Sequence, residues 1–217
     1  MNTVKKRSFW ISFLIVILII ISITWWLQVA VLAPVSSIPL KQEVMAEVKL
    51  VIGEPYAQML KDSTPKVIAQ DIPNETWYNQ VNEPAELHFN DPQYSFTTPT
   101  AKFLAVSYDS GVVDSVRMSP QIDTLNWDDA IKVVLNLQDQ WRKGGWILSK
   151  PNRSPAYEDT PALRGQAKNN KSRTVFWSAG DKYQIMIFLQ RFADSKRPNE
   201  ERYLITMQIA KPWIPKE

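Results

Sequence analysis

The hydrophobic pattern of the chain falls into three regimes. The first is an uninterrupted apolar run: no Asp, Glu, Lys, Arg or His stands between Arg7 and Lys41, and residues 13–21 read FLIVILIII. A run over 10–32 meets the roughly 20 residues needed to cross a hydrocarbon core of about 30 Å. Trp10 at one end and Trp25-Trp26 at the other stand where indole rings settle, at headgroup level. Lys5, Lys6 and Arg7 precede the span, whereas the first charges after it are the mixed set Lys41, Glu43, Glu47 and Lys49. The excess of Lys and Arg on the N-terminal side predicts a cytoplasmic tail over 1–9, an anchor over 10–32 and everything later outside. The competing reading is a cleaved signal with its processing site at Val31-Leu32-Ala33. Pro34 directly after that site, and an apolar region longer than the usual 7–15 or so residues of a signal, favour an uncleaved anchor.

The second regime, residues 33–83, reads as a spacer and membrane-proximal segment. Pro34 and Pro39 predict an extended spacer, and Val44, Met45, Val48 and Val51 share one side of an expected helix over 41–52. Gly53 ends it, and Pro55 suits the first turn of a second short helix reaching Lys61. Pro65, Pro73, Pro84 and Pro92 predict irregular chain over 63–93, apart from a short strand at 86–89.

The third regime, residues 84–217, carries a folded domain. Residues 102–108 and 112–118 flank Asp109-Ser110-Gly111, a hairpin turn in which Gly111 supplies positive φ. Trp127, Ile131, Val134, Leu135 and Trp141 recur with helical period over 127–143. Asn126 caps that helix, Asp128 and Asp129 sit in its first turn, Arg142 and Lys143 in its last, and Gly144 offers a left-handed stop. A strand start is expected at 146–148, and a short helix from Thr160-Pro161 to near Lys168. Strands at 174–178, 182–191 and 202–210 close the chain. In the middle one Tyr183, Ile185, Ile187 and Leu189 alternate with Gln184, Met186, Phe188 and Gln190, so both faces are largely apolar and both are expected to be covered. The fold class is α+β: an antiparallel sheet of about five or six strands packed by one main amphipathic helix, following an N-terminal transmembrane helix.

Composition narrows the class. The net charge of +3 equals the charge of the three basic residues in the tail, leaving 22 basic and 22 acidic residues beyond it. A neutral domain lacks the basic footprint of a nucleic-acid partner. Charge is nonetheless polarised: residues 33–140 carry 7 basic and 15 acidic side chains, and 141–217 carry 15 and 7. That polarity marks either a basic binding face or two halves that pack on each other. With no Cys there are neither disulfides nor a lipoprotein anchor, which favours a bacterial periplasm over a eukaryotic exterior. The N-x-S/T sites at Asn74, Asn152 and Asn170 occur at about chance frequency.

Candidate chemistry is sparse. His88 is the only histidine and no Cys exists as nucleophile, so nucleophile–histidine arrangements have one position to use. Zinc and copper sites are not expected, no Ca²⁺-loop pattern occurs, and neither glycine-rich phosphate motif is present; no cofactor is expected. Asp128 and Asp129 are neighbours on a helix and point about 100° apart, which suits helix-start electrostatics better than a glycosidase pair. Of the tryptophans beyond the anchor, Trp77, in a Pro-rich loop, and Trp213, near the C-terminus, are candidates for a binding surface, whereas Trp127, Trp141 and Trp177 are assigned to the core. Arg142, Lys143 and Arg153, with Arg164, Lys168 and Arg173, mark a basic patch.

These readings lead to an inner-membrane-anchored periplasmic protein-binding module without catalysis. It contacts the bilayer through 10–32 and a protein partner in the periplasm, in the manner of an inhibitor or immunity protein against an envelope-acting toxin. Two alternatives remain: an assembly or scaffold subunit of a secretion or division complex, and a carboxylate-only enzyme acting on peptidoglycan or lipid through Glu158 and Asp159.

Overall fold

Alternating inward and outward side chains build most of the domain. In the computed structural model, residues 46–64 and 74–217 are described. The expected anchor over 10–32, its orientation and the adjoining spacer up to residue 45 lie outside them. No described helix is long and apolar enough to cross a membrane.

The elements run β1 (Ala46–Leu50), α1 (Tyr56–Asp62), β2 (Thr76–Gln80), β3 (Ala85–Phe89), β4 (Phe96–Thr97), β5 (Phe103–Asp109), β6 (Val112–Ser119), α2 (Trp127–Lys143), β7 (Ile147–Leu148), α3 (Pro161–Lys168), β8 (Thr174–Ala179), β9 (Tyr183–Phe192) and β10 (Arg202–Ala210). Seven strands form one antiparallel sheet in the order β2-β5-β6-β10-β9-β8-β7, and β1-β3-β4 form a second sheet of three. The fold is therefore α+β with a large antiparallel sheet, as its sequence predicts, but with more strands. The additions are β2, a polar edge strand in which Trp77 alone is buried, and β1 and β4, which join the strand expected at 86–89, now β3, in a separate small sheet whose β1 and β3 run parallel.

Residues 46–50 correct the helix expected over 41–52. Ala46, Val48 and Leu50 point inward while Glu47 and Lys49 point outward, a period of two that the parallel partner β3 locks in register. The outer edge of β1 is closed by Ser63 and Thr64: Lys49 N donates to Ser63 Oγ at 2.9 Å and Thr64 N to the Glu47 carbonyl at 2.8 Å. α1 follows the expected Pro55 start.

The hairpin β5-β6 turns on two residues with positive φ, Ser110 at 50° and Gly111 at 78°, the backbone twist that two-residue turns favour. α2 matches its expected span. Asn126 Oδ1 accepts from Asp129 N at 2.9 Å while its Nδ2 donates to Asp129 Oδ2 at 2.8 Å, so cap and third residue satisfy each other. Trp127, Ile131, Val134 and Trp141 are buried; Leu135 is only half-buried, and Leu137 and Gln138 lie inside instead. The left-handed residue at its end is Gly145 (φ 84°), not Gly144 (φ −79°). Trp146 N donates to Trp141 O at 2.9 Å and Gly145 N to Arg142 O at 3.1 Å, the paired bonds of a Schellman stop. This turn folds Trp146 back beside Phe89, Phe96 and Tyr94, joining the helix end to the small sheet.

A buried carboxylate links the two sheets. Asp91, just after β3, accepts from Gln93 N at 2.9 Å, Tyr94 N at 3.0 Å and the Tyr183 hydroxyl of β9 at 2.9 Å. Burial raises its pKa, but these bonds and Lys182 at 3.7 Å outweigh that and hold it below its ordinary 3.8. The Tyr183 hydroxyl is correspondingly pushed up to about 12, by burial first and by its bond to Asp91 second.

Two outcomes are expected. Gly145→Ala should cost about 1–2 kcal/mol through backbone strain alone, because a Cβ there meets only Tyr94 at 3.9 Å. Gly144→Ala, at a φ any residue adopts, should cost less; thermal unfolding giving the reverse order would reject the stop as described. Asp91 contributes stability that is full above its ordinary pKa of 3.8 and is lost as pH falls through its lower folded value. Asp91→Asn should therefore lose about 1.5–3 kcal/mol at neutral pH. The gap should narrow on acidification, as read by urea unfolding across pH.

Candidate functional site

Successive strand residues face opposite sides of a sheet, and the two sides of the large sheet differ. One is the core. Trp177 of β8 meets Trp141 of α2 at 5.9 Å, Tyr108 of β5 meets Tyr56 of α1 at 4.9 Å, and Arg191 of β9 reaches the Lys168 carbonyl of α3 at 3.4 Å. All three described helices thus approach from that side. The opposite side carries Phe176, Met186, Gln208, Arg117, Ala105 and Gln80 in one cross-strand row. A second row holds Thr174, Phe188 and Thr206. Phe176, Met186, Phe188 and Leu204 on this side are only half-buried. The expectation that β9 is covered on both faces is corrected: one face is closed and the other half-open.

The C-terminal segment crosses part of this open side. Gln184, fully buried, accepts from Trp213 N at 3.2 Å and Ile214 N at 3.0 Å, and donates to Ile214 O at 3.1 Å. Trp213 lies 6.3 Å from Phe176. Glu217 N donates to Ser149 O at 2.8 Å, and Lys216 pairs with Asp181 at 2.8 Å.

Beyond the tail, a groove of about 550 Å³ opens on the same side. Phe103, Ile122 and Phe192 line it, exposed by 37, 50 and 41 %. Leu204, Thr206 and Ser119 belong to its strands, and Lys102 and Arg117 bring cations to it. Its rim loop is fixed by Gln121, which donates to Tyr203 O at 3.2 Å and Asp123 O at 2.8 Å and accepts from Ile205 N at 2.8 Å. Arg197 pairs with Asp123 and, at 3.2 Å, with Asp194. The hydrogen bond from Arg197 holds the Asp123 carboxyl below its ordinary range, and the Thr124 hydroxyl does the same for Asp194. Chemically, the groove offers apolar side chains and two cations with no carboxylate left free among them.

The sequence-predicted residues do not converge on it. Trp77 lies in the core, stacked on Tyr108 with ring centroids 4.3 Å apart and edge-on to Tyr56 at 5.3 Å. Arg142 pairs with Asp139 at 2.8 Å and covers the Trp177 ring at 5.3 Å. Trp213 meets Phe176, the neighbour of Trp177, so Arg142 and Trp213 stand on opposite sides of β8. Lys143 is exposed, and Arg153 pairs with Glu217 at 3.3 Å. Of the wider basic patch, Arg164 pairs with Asp128 at 3.5 Å and Lys168 with Glu201 at 3.0 Å, while Arg173 donates to the carbonyls of Pro155 and Ala156. Arg164–Asp128, Lys182–Asp91 and Arg197–Asp123 join residues of the basic half to residues of the acidic half, whereas Arg142–Asp139 is a pair one turn apart within α2. His88 Nε2 is 3.6 Å from Glu86 and 3.9 Å from Glu47 on the outer face of the small sheet. Glu158 and Asp159 are exposed, and Asp159 accepts from the Trp127 indole at 3.2 Å. Among the described residues no cluster of His, Asp and Glu has the arrangement to hold a metal ion.

Phe103, Ile122, Phe192 and Arg117 were not singled out by the sequence. Their signal was the apolar second face of β9, legible as Met186 and Phe188. Whether that face is covered depends on where the helices go.

Gln184→Leu removes every side-chain bond to the tail backbone. Hydrogen exchange at Trp213 and Ile214 should rise by about tenfold or more, and global stability should fall as well, since each lost bond contributes about 0.5–1.5 kcal/mol and the Gln184 amide also donates to Ser149 and Ser178. Unchanged exchange would mean that the tail is held by its other contacts. Comparison with protein-family models, curated proteins and solved structures finds no match to this chain, so its functional reading rests on its own geometry.

Proposed function

We propose that this chain is a membrane-tethered periplasmic module that binds a protein partner without catalysis, in the role of an inhibitor or immunity protein. One observation carries the reading: the large sheet packs all three described helices on one side and leaves apolar residues half-open on the other. Exposed, contiguous apolar surface rimmed by polar groups is characteristic of interaction sites. Phe103, Ile122 and Phe192 supply anchors of the kind that dominate binding energy when they are desolvated. Tethering through 10–32 would raise the effective concentration at the membrane, so that a modest interface suffices. The carboxylate-only enzyme gains no support from Glu158 and Asp159, which do not line the groove. A scaffold role shares the same face and differs only in what occupies it.

Site-specific photo-crosslinking in cells tests this. A photoreactive residue at Phe103 or Phe192 should form a discrete adduct with another protein, and one at Lys132, exposed on α2, should not. A single partner with a toxin-like domain supports the inhibitor role, and several subunits of one envelope complex support the scaffold. Adducts from Lys132 alone would move binding away from the sheet and defeat the reading.

A further inference from the structure

The occupant of the groove can be narrowed by its unmatched charge, on the premise that the open side binds protein. We infer that the groove takes a short segment of the partner in which apolar side chains alternate with carboxylates. Several cations bordering this side of the domain are answered internally. Arg197 pairs with Asp123 and Asp194, Arg202 with Glu200 at 2.6 Å, and Lys216 with Asp181. Lys102 and Arg117 have no ion pair among the described residues, and both line the groove. Arg117 is exposed, and its cross-strand neighbours are Ala105 and Gln208, neither of which carries charge. The one carboxylate lining the groove, Asp123, is already engaged by Arg197. Uncompensated charge here is therefore positive, and it stands beside Phe103, Ile122 and Phe192.

A second copy docked through the same groove would bring the same two cations, and its own groove carboxylate, Asp123, is already engaged by Arg197. A bilayer surface is flat, whereas a recess of about 550 Å³ accommodates projecting side chains. An acidic–apolar segment answers both features: its carboxylates face Arg117 and Lys102, and its apolar side chains fill the recess. Guanidinium groups favour two-pronged bonds to carboxylates, which makes Arg117 the stronger determinant.

The full chain in zwitterionic detergent, used to select from a random-peptide library displayed on phage, tests this. Selected peptides should carry Asp or Glu among apolar residues, and their affinity by fluorescence anisotropy should fall with added salt. Arg117→Glu should weaken them by about tenfold or more, because like charges then face each other, and Arg117→Lys should weaken them less. Unaltered thermal unfolding of Arg117→Glu separates lost recognition from lost fold. Basic or uncharged selected peptides, or affinities indifferent to Arg117→Glu and Lys102→Glu, would overturn the charge assignment while leaving a protein-binding face to the crosslinking result. Self-association abolished by Phe192→Asp, or protection of residues 119–124 by anionic nanodiscs without peptide, would assign the groove to a second copy or to a membrane and also overturn it.

Discussion

Every buried peptide group must find a hydrogen-bond partner, and at four places where no strand supplies one, a glutamine of this domain does. Gln138, fully buried in α2, accepts from Tyr157 N at 2.8 Å and donates to its carbonyl at 2.9 Å. Gln140, two residues on, treats Thr97 of β4 in the same way at 3.0 Å each. Gln121 completes the β10 edge at Tyr203 and Ile205, and Gln184 holds the tail at Trp213 and Ile214. A primary amide offers a donor and an acceptor side by side, as a neighbouring strand does. Irregular segments can therefore lie against an apolar core without the desolvation cost of unpaired backbone. The short β4, the 149–160 connection, the groove's rim and the C-terminus all depend on this device.

Helix placement then decides which face of the large sheet stays open. α1, α2 and α3 all close the same side of the large sheet, and the tail, fixed by Gln184, shields only the part of the other side near Phe176. What is left is an apolar recess with two cations, set at the end of the sheet formed by β5, β6 and β10. Polarised charge, which in the sequence looked like either an interface or an internal complement, is answered inside only in part: three ion pairs tie the basic half to the acidic half. Arg117 and Lys102 belong to the acidic half, which is why counting charge along the chain drew attention elsewhere.

Local pattern alone determined much of this protein. α2, β10 and the α3 start follow from helical period, strand alternation and caps whose partners lie within a few residues; the β5-β6 turn follows from Ser110-Gly111. Such features are short-range, so the residues that specify them are adjacent in the chain. Tertiary structure decided the rest. The β1 segment reads as helix in the sequence and becomes a strand because β3 pairs with it, and β2 becomes a strand only because β5 offers an edge. Gly145 rather than Gly144 turns left-handed because that geometry returns Trp146 to the small sheet. Trp77, polar-flanked in sequence, is drawn inward by Tyr56 and Tyr108. The open side of β9 is the sharpest case: its residues are apolar on both faces, and no pattern along one strand records which face three distant helices will cover.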